Sequence, residues 1–187
     1  MKRLFIAIKI IPDQDFLDQF RQLKTALSNE KIKWVEEHNI HVTLKFLGNT
    51  ETNKIAEIER VMTSIRLSAF SFRLKHLGIF GSKYDPRVVW TGIEPYAELV
   101  LLMKTVHDAL RNIGFEPDRQ NMVPHLTLGR VKEISDKHRF QKIIDRFGGI
   151  ESVEMPVSRF ILYESILKKE GPVYIPLKVF ELKASQG

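Results

Sequence analysis

Two phrases in this chain carry side chains able to do chemistry together: His41-Val42-Thr43-Leu44 and His125-Leu126-Thr127-Leu128. Each reads histidine, apolar, threonine, apolar. On a β-strand, successive side chains point to opposite faces, so His and Thr share one face and the apolar pair enters a core. Two strands would then each present an imidazole beside a hydroxyl. Two imidazoles meeting at one point supply a general base and a general acid near neutral pH. Two hydroxyls supply donors for a substrate oxyanion. That is what cleavage of a phosphodiester requires, and the side chains alone provide it.

The flanking positions are ambiguous on alternation. Phe46 and Arg130 each lie five residues after a motif histidine. Strict period two sends both to the core side, which suits Phe46 but not Arg130, since arginine is rarely buried without a partner. A bulge at this offset would turn both toward the histidine face. Lys45 shares the face of His41 and Thr43 by period two and is expected to reach solvent. Lys132, Lys168 and Lys169 could line a groove for a longer strand, although Lys168-Lys169-Glu170-Gly171 reads as a solvated loop. His38 and His41 lie three apart, which on a strand places them on opposite faces and argues against shared metal ligation. His76, His107 and His138 suggest no site, and Trp34 and Trp90 read as packing residues near strand ends.

The elements that must hold the motifs follow from periodicity. Phe16, Phe20, Leu23 and Leu27 mark one helical face; Ile55, Ile58, Met62 and Ile65 mark a second. Leu99, Leu102, Val106, Leu110 and Ile113 mark a third, stopped at Gly114. Phe140, Ile143, Ile144 and Phe147 mark a fourth, stopped at Gly148-Gly149. Strands are predicted over 4–8, 69–80, 88–93, 153–163 and 173–182. An apolar strand, a proline (Pro12, Pro95) and a helix precede each motif at nearly the same distance, and a turn and a second helix follow. The chain therefore reads as an internal duplication. The fold class is α+β: two pseudo-symmetric lobes, each an antiparallel sheet with helices on its outer face, with the active-site cleft between them. The whole of 1–187 is expected to form a single bilobal domain, with halves near 1–82 and 83–187 and a crossing at Gly78 to Pro86.

Composition agrees with such a protein. A chain of 187 residues can bury a core without staples. It has no cysteine, which excludes disulfides, iron–sulfur clusters and thiolate zinc sites. The opening Met1-Lys2-Arg3-Leu4-Phe5-Ile6-Ala7-Ile8 has too short an apolar run for a signal peptide and reads as a buried first strand. A cytoplasmic protein with no membrane association is expected, and a monomer. The net charge of +6 suits a polyanionic partner such as RNA.

On these residues the chain resembles the two-histidine (2H) phosphoesterase superfamily, and within it the RNA 2′,3′-cyclic phosphodiesterases, also called 2′-5′ RNA ligases. The resemblance runs through Arg3 to Ile8, through Trp34 to Gly48 with Asn39, His41, Thr43, Leu44, Phe46, Leu47 and Gly48, and through Pro124 to Arg130. It ends with Leu162-Tyr163-Glu164-Ser165, Tyr174 and Leu177. It implies metal-independent, cofactor-free hydrolysis of RNA 2′,3′-cyclic phosphate ends, or of nucleoside 2′,3′-cyclic phosphates, to 2′-phosphates. Weak reverse ligation would accompany it. It implies His41 as proton donor and His125 as proton acceptor, roles that the pseudo-symmetric pattern itself leaves open. Thr43, Thr127 and Arg130 would hold phosphate, and Phe46 would stack on a base. The competing readings are a 2H enzyme acting on another small cyclic phosphate or a 2′-5′ oligoadenylate, and a nucleotide- or RNA-binding module without turnover.

Overall fold

The structure is a computed structural model that describes residues 1–82, 85–116, 123–169 and 171–184. Among the described residues, nine strands and four helices run in the order β1 (Lys2–Lys9), α1 (Gln14–Ala26), β2 (Lys31–Trp34), β3 (His41–Thr50), α2 (Ile55–Thr63), β4 (Phe70–Ser82), β5 (Asp85–Glu94), α3 (Ala97–Arg111), β6 (His125–Glu133), α4 (Lys137–Arg146), β7 (Met155–Val157), β8 (Arg159–Leu167) and β9 (Pro172–Glu181). Every helix sits on the apolar stripe that predicted it. Asp13 caps α1, accepting from Phe16 N, and its second oxygen accepts from Val153 N. Capping and tertiary docking thus use one carboxylate.

The strands form two antiparallel sheets, ordered β3-β1-β8-β9 and β2-β6-β5-β4-β7. Strand β1 explains itself from sequence. Leu4, Ile6 and Ile8 enter the main core, while Phe5 and Ala7 join a smaller cluster with Ile161 and Tyr163 on the other face. A strand covered on both faces reads as a continuous apolar run. The main core is continuous through both sheets and includes Phe16, Phe20, Ile58, Met62, Leu102, Val106, Phe140 and Ile144 from the four helices. The opposite sheet faces carry the motif side chains.

The sheets do not follow the division into 1–82 and 83–187. Strands β2 and β4 of the first half lie in the second sheet, and β8 and β9 of the second half lie in the first. The segment Gly78 to Pro86 is accordingly no crossing between lobes. Its described residues belong to the β4–β5 hairpin, paired from Arg73↔Glu94 to Ser82↔Asp85. The physical reason is pairing demand. Strand β1 is buried on both faces and pairs on both edges, and its second edge is taken by β8, with Leu4↔Glu164 through Ala7↔Ile161.

The first sheet also curls back on itself. Its outer strands β3 and β9 approach, so that Asn39, next to β3, donates through Nδ2 to the Pro172 carbonyl at 2.9 Å. The predicted strand over 153–163 is broken into β7 and β8, and β2 is a strand that periodicity did not reveal. Among the described residues, no helix is long and apolar enough to cross a membrane. Glu170 of the predicted charged loop lies outside the described residues.

Candidate active site

His41 opens β3 and His125 opens β6. Val42 and Leu44 on one strand, and Leu126 and Leu128 on the other, are buried in the core. His41, Thr43, His125 and Thr127 therefore face away from it, as alternation requires. The two imidazoles are held alike. His41 Nδ1 lies 2.6 Å from the Asn39 carbonyl oxygen, and His125 Nδ1 lies 2.7 Å from that of Val123. A carbonyl only accepts, so Nδ1 carries the hydrogen in both rings and Nε2 keeps its lone pair. Each ring is also wedged edge-on by an aromatic. Tyr174 stands 5.2 Å from His41 at 85°, and Phe80 stands 4.8 Å from His125 at 89°. The Thr43 and Thr127 hydroxyls make no hydrogen bond within the described residues, so both remain available to a ligand.

Electrostatics joins the two sheets. The His41 imidazole is held below its ordinary value, first by burial and then by the positive charges of Lys9 and Arg130; the Asn39 carbonyl, which favours the protonated ring, opposes this. His125 is lowered by burial and by the same Arg130, against the Val123 carbonyl. Arg130 also bears on Tyr174. One guanidinium thus acts on both motif histidines, although they belong to different sheets.

Phe46 and Arg130 are turned by matching bulges. In β3, Ile6 pairs with Lys45 and Ala7 with Thr43, which leaves Leu44 as the extra residue. In β6, Val89 pairs with Gly129 and Trp90 with Thr127, which leaves Leu128 extra. Both bulges fall three residues after the histidine and reverse the alternation beyond it. Phe46 is 52% exposed, with its ring 6.0 Å from Phe5 on the histidine face. Arg130 is exposed opposite Val88.

The bulge overturns the expectation for Lys45. It neither shares the His41 face nor reaches solvent; it is 4% exposed, with Nζ donating to the Glu116 carbonyl at 2.8 Å. His38 also differs from expectation. It sits in a short 3-10 turn, Glu37–Asn39, rather than on a strand, and it lines the same pocket as His41. Among the described residues no group of three or more metal-ligating side chains gathers. His76, in β4, approaches Glu94 at 3.6 Å, and His107 Nε2 lies 2.9 Å from the Leu44 carbonyl oxygen, tying α3 to β3. Lys132, Lys168 and Lys169 are exposed.

Trp90 packs as expected but not near a strand end. It lies within β5 opposite Thr127, with its indole 6.3 Å from the His125 ring and stacked on Phe80 at 5.0 Å. Trp34 is the packing residue expected, against Phe20. Lys9, Phe80 and Trp90 are neighbours of the motif histidines that sequence reasoning missed. The one available signal was their place on strands flanking the motifs. Beside His41, Lys9, Asn39, Tyr163, Tyr174 and Pro176 line a cavity of about 270 Å³.

The family described as LigT like phosphoesterase matches twice, at residues 10–90 and 93–174. An RNA 2′,3′-cyclic phosphodiesterase of Thermotoga maritima is 39% identical over 176 residues, covering 92% of this chain and 91% of that protein. Another, of Archaeoglobus fulgidus, is 34% identical over 184 residues, covering 96% and 99%. In fold, the chain is similar to Escherichia coli LigT complexed with 3′-AMP, with a TM-score of 0.75 at 24% identity over 97% of this chain and 98% of that one. A family match falling once on each half of the duplication, with relatives aligned over nearly the whole chain, makes this protein a member of the LigT-like phosphoesterase family.

Proposed function

We propose that this phosphoesterase hydrolyses the 2′,3′-cyclic phosphate ends of RNA, leaving 2′-phosphate ends. The observation that carries the proposal is the matched anchoring of two imidazoles, each with Nδ1 on a carbonyl and each lowered by the same arginine. The names of the relatives favour the same substrate.

In the forward step water attacks phosphorus in line with the departing 3′ oxygen. His125 Nε2 takes a proton from the water as the new P–O bond forms. His41 Nε2 gives its proton to the 3′ oxygen as that P–O bond breaks. Exchange with solvent restores both rings. The Thr43 and Thr127 hydroxyls and the Arg130 guanidinium hold the non-bridging oxygens, where charge concentrates. Phe46 offers its exposed face to the terminal base, a contact tolerant of sequence. Acid, base and oxyanion donors all come from side chains, so the scheme uses no metal or cofactor. With a 5′-hydroxyl end attacking phosphorus in place of water, a P–O5′ bond would form as the P–O3′ bond breaks, and the same groups would ligate weakly to a 2′-5′ linkage.

In the free protein both imidazoles are held toward neutrality. A bound phosphate offsets the Arg130 charge and restores the affinity of one ring for the proton it must donate. One observation favours the reverse assignment of roles. His41 alone bears the added charge of Lys9, which suits a base better than an acid. A substrate with sulfur at the 3′ bridging position decides between them, because thiolate leaves without a proton. It rescues His41→Ala if His41 is the acid, and His125→Ala if the roles are exchanged.

The activity itself is tested by end-group analysis of a short cyclic-phosphate-terminated RNA incubated with the protein in chelator. The expected product is a 2′-phosphate. Binding without product would favour a binding module, and loss of turnover in chelator would favour a metal enzyme.

A further inference from the structure

Strand β2 lies at the edge of the second sheet and pairs with β6 in the register Ile32↔Val131, Lys33↔Arg130 and Trp34↔Gly129. Residues directly opposed in an antiparallel pair share a face. Trp34 packs on Phe20 in the core, and a side chain at Gly129 would meet Trp34 and Ile32. Lys33 and Arg130 therefore lie on the other face, with Val88. Two residues along β5, that face carries Trp90, which is opposite Thr127 and beside the His125 ring. Lys33 is exposed.

Two cations thus stand directly across a strand pair, their Cβ atoms about 5 Å apart. Like charges so placed repel. Among the described residues neither forms an ion pair, whereas the neighbouring Lys31 is neutralised by Glu133. An edge lysine guards against strand-to-strand association, which accounts for a cation at β2. It does not account for setting that cation opposite the arginine that acts on both motif histidines. An anion between the two would relieve the repulsion and accept charge-assisted hydrogen bonds from both.

We infer that Lys33 and Arg130 form a second phosphate seat, beside the reacting phosphate, for the 5′ phosphate of the terminal nucleotide. In an RNA this is the first backbone phosphate upstream of the cyclic end. The inference rests on the proposed reaction and deepens it: the enzyme distinguishes a polynucleotide end from a free nucleoside cyclic phosphate. The sheet face supports that direction, since the Arg130 charge bears on both motif histidines and Lys33 lies one strand farther out, at the edge.

The test compares a nucleoside 2′,3′-cyclic phosphate with the same compound bearing a 5′ phosphate. In the wild type the 5′ phosphate raises kcat/KM by about tenfold. In Lys33→Ala that ratio falls to near one, while in Lys31→Ala, which removes the same charge from an existing ion pair, it is kept. On an oligonucleotide, Lys33→Ala also reduces the salt slope of binding by about one. The melting temperature of Lys33→Ala does not fall, because a repulsion has been removed. A wild-type ratio near one would overturn the inference. So would an unchanged ratio in Lys33→Ala, or equal losses on both substrates, which would put Lys33 on the reacting phosphate. If the wild type turned over neither compound, the proposed function would fail. The seat would still be decided by calorimetry with adenosine 5′-monophosphate, where equal affinity in wild type and Lys33→Ala would overturn it.

Discussion

His41 and His125 differ from ordinary surface histidines in being anchored through Nδ1 and half-buried. On the proposed mechanism each ring moves a proton, so His41→Ala and His125→Ala are each expected to lose about 10²–10⁴-fold in kcat on a cyclic-phosphate-ended RNA. Near-full activity in either would refute the pairing. Thr43→Val and Thr127→Val move no proton. Each should cost one hydrogen bond to a charged group, about 1.5–3 kcal/mol or roughly 10- to 150-fold, read in the same assay. The lowered imidazoles also couple stability to pH. The unfolded chain protonates its histidines near the ordinary value of about 6.5, whereas the folded site protonates lower. Between the two values the unfolded state binds more protons, so stability rises with pH and is lost as pH falls through that window. Melting temperatures measured from about pH 7 down to about pH 5 should therefore fall less steeply for His41→Gln than for the wild type. An unchanged slope would mean the ring is not held neutral by the fold.

At the scale of elements, the paired bulges and the small residues of the neighbouring strands decide which side chains share the histidine faces. A Cβ at Gly78 would stand 2.4 Å from the Trp90 indole. That ring cannot stay where it is, and it flanks both Phe80 and His125. Gly78→Ala is thus expected to disturb His125 through Trp90. It should lower kcat more than it lowers melting temperature, with the His125 limb of the pH–rate profile displaced. A variant that lost stability and kept its pH profile would show that Trp90 only packs. Gly129 tests the other side of the same sheet. Its Cβ would meet Trp34 at 2.7 Å and Ile32 at 2.8 Å, so Gly129→Ala should destabilise by roughly 1–3 kcal/mol through overpacking, measured by denaturant unfolding.

The whole molecule is an exchange of strands between two similar halves. Strands β8 and β9 complete the sheet begun by β1 and β3, while β4 completes the sheet built on β5 and β6. Neither stretch 1–82 nor 83–187 keeps its sheets if separated, because β1 would expose the edge now held by β8, and β5 the edge held by β4. Expressed alone, each half should lack a cooperative melt, and co-expression should restore one. Independent folding of either half would contradict the exchange. The exchange also gives the site its form: α3, from the second half, packs on β3 through His107 and the Leu44 carbonyl. The two motif strands are thereby held by a shared core.

The sequence by itself determined which way the motif histidines and threonines face and most of the elements. A histidine and a hydroxyl at spacing two, between residues that must be buried, can face only one way on a strand. The apolar stripes likewise fixed all four helices. It also exposed the conflict at Arg130, since a core arginine was physically awkward, and so pointed to a bulge. Tertiary structure alone decided the rest. The exchange of β4 against β8 and β9 leaves no periodic trace, because an edge is satisfied by any strand of compatible length. The bulges at Leu44 and Leu128 depend on the partner strands' register, which local sequence does not carry. Lys45 was drawn inward and Trp90 toward His125 for the same reason, and Lys33 came to oppose Arg130 only through the pairing of β2 with β6. Side-chain direction is a local property of a strand, whereas the neighbour it meets belongs to the whole fold.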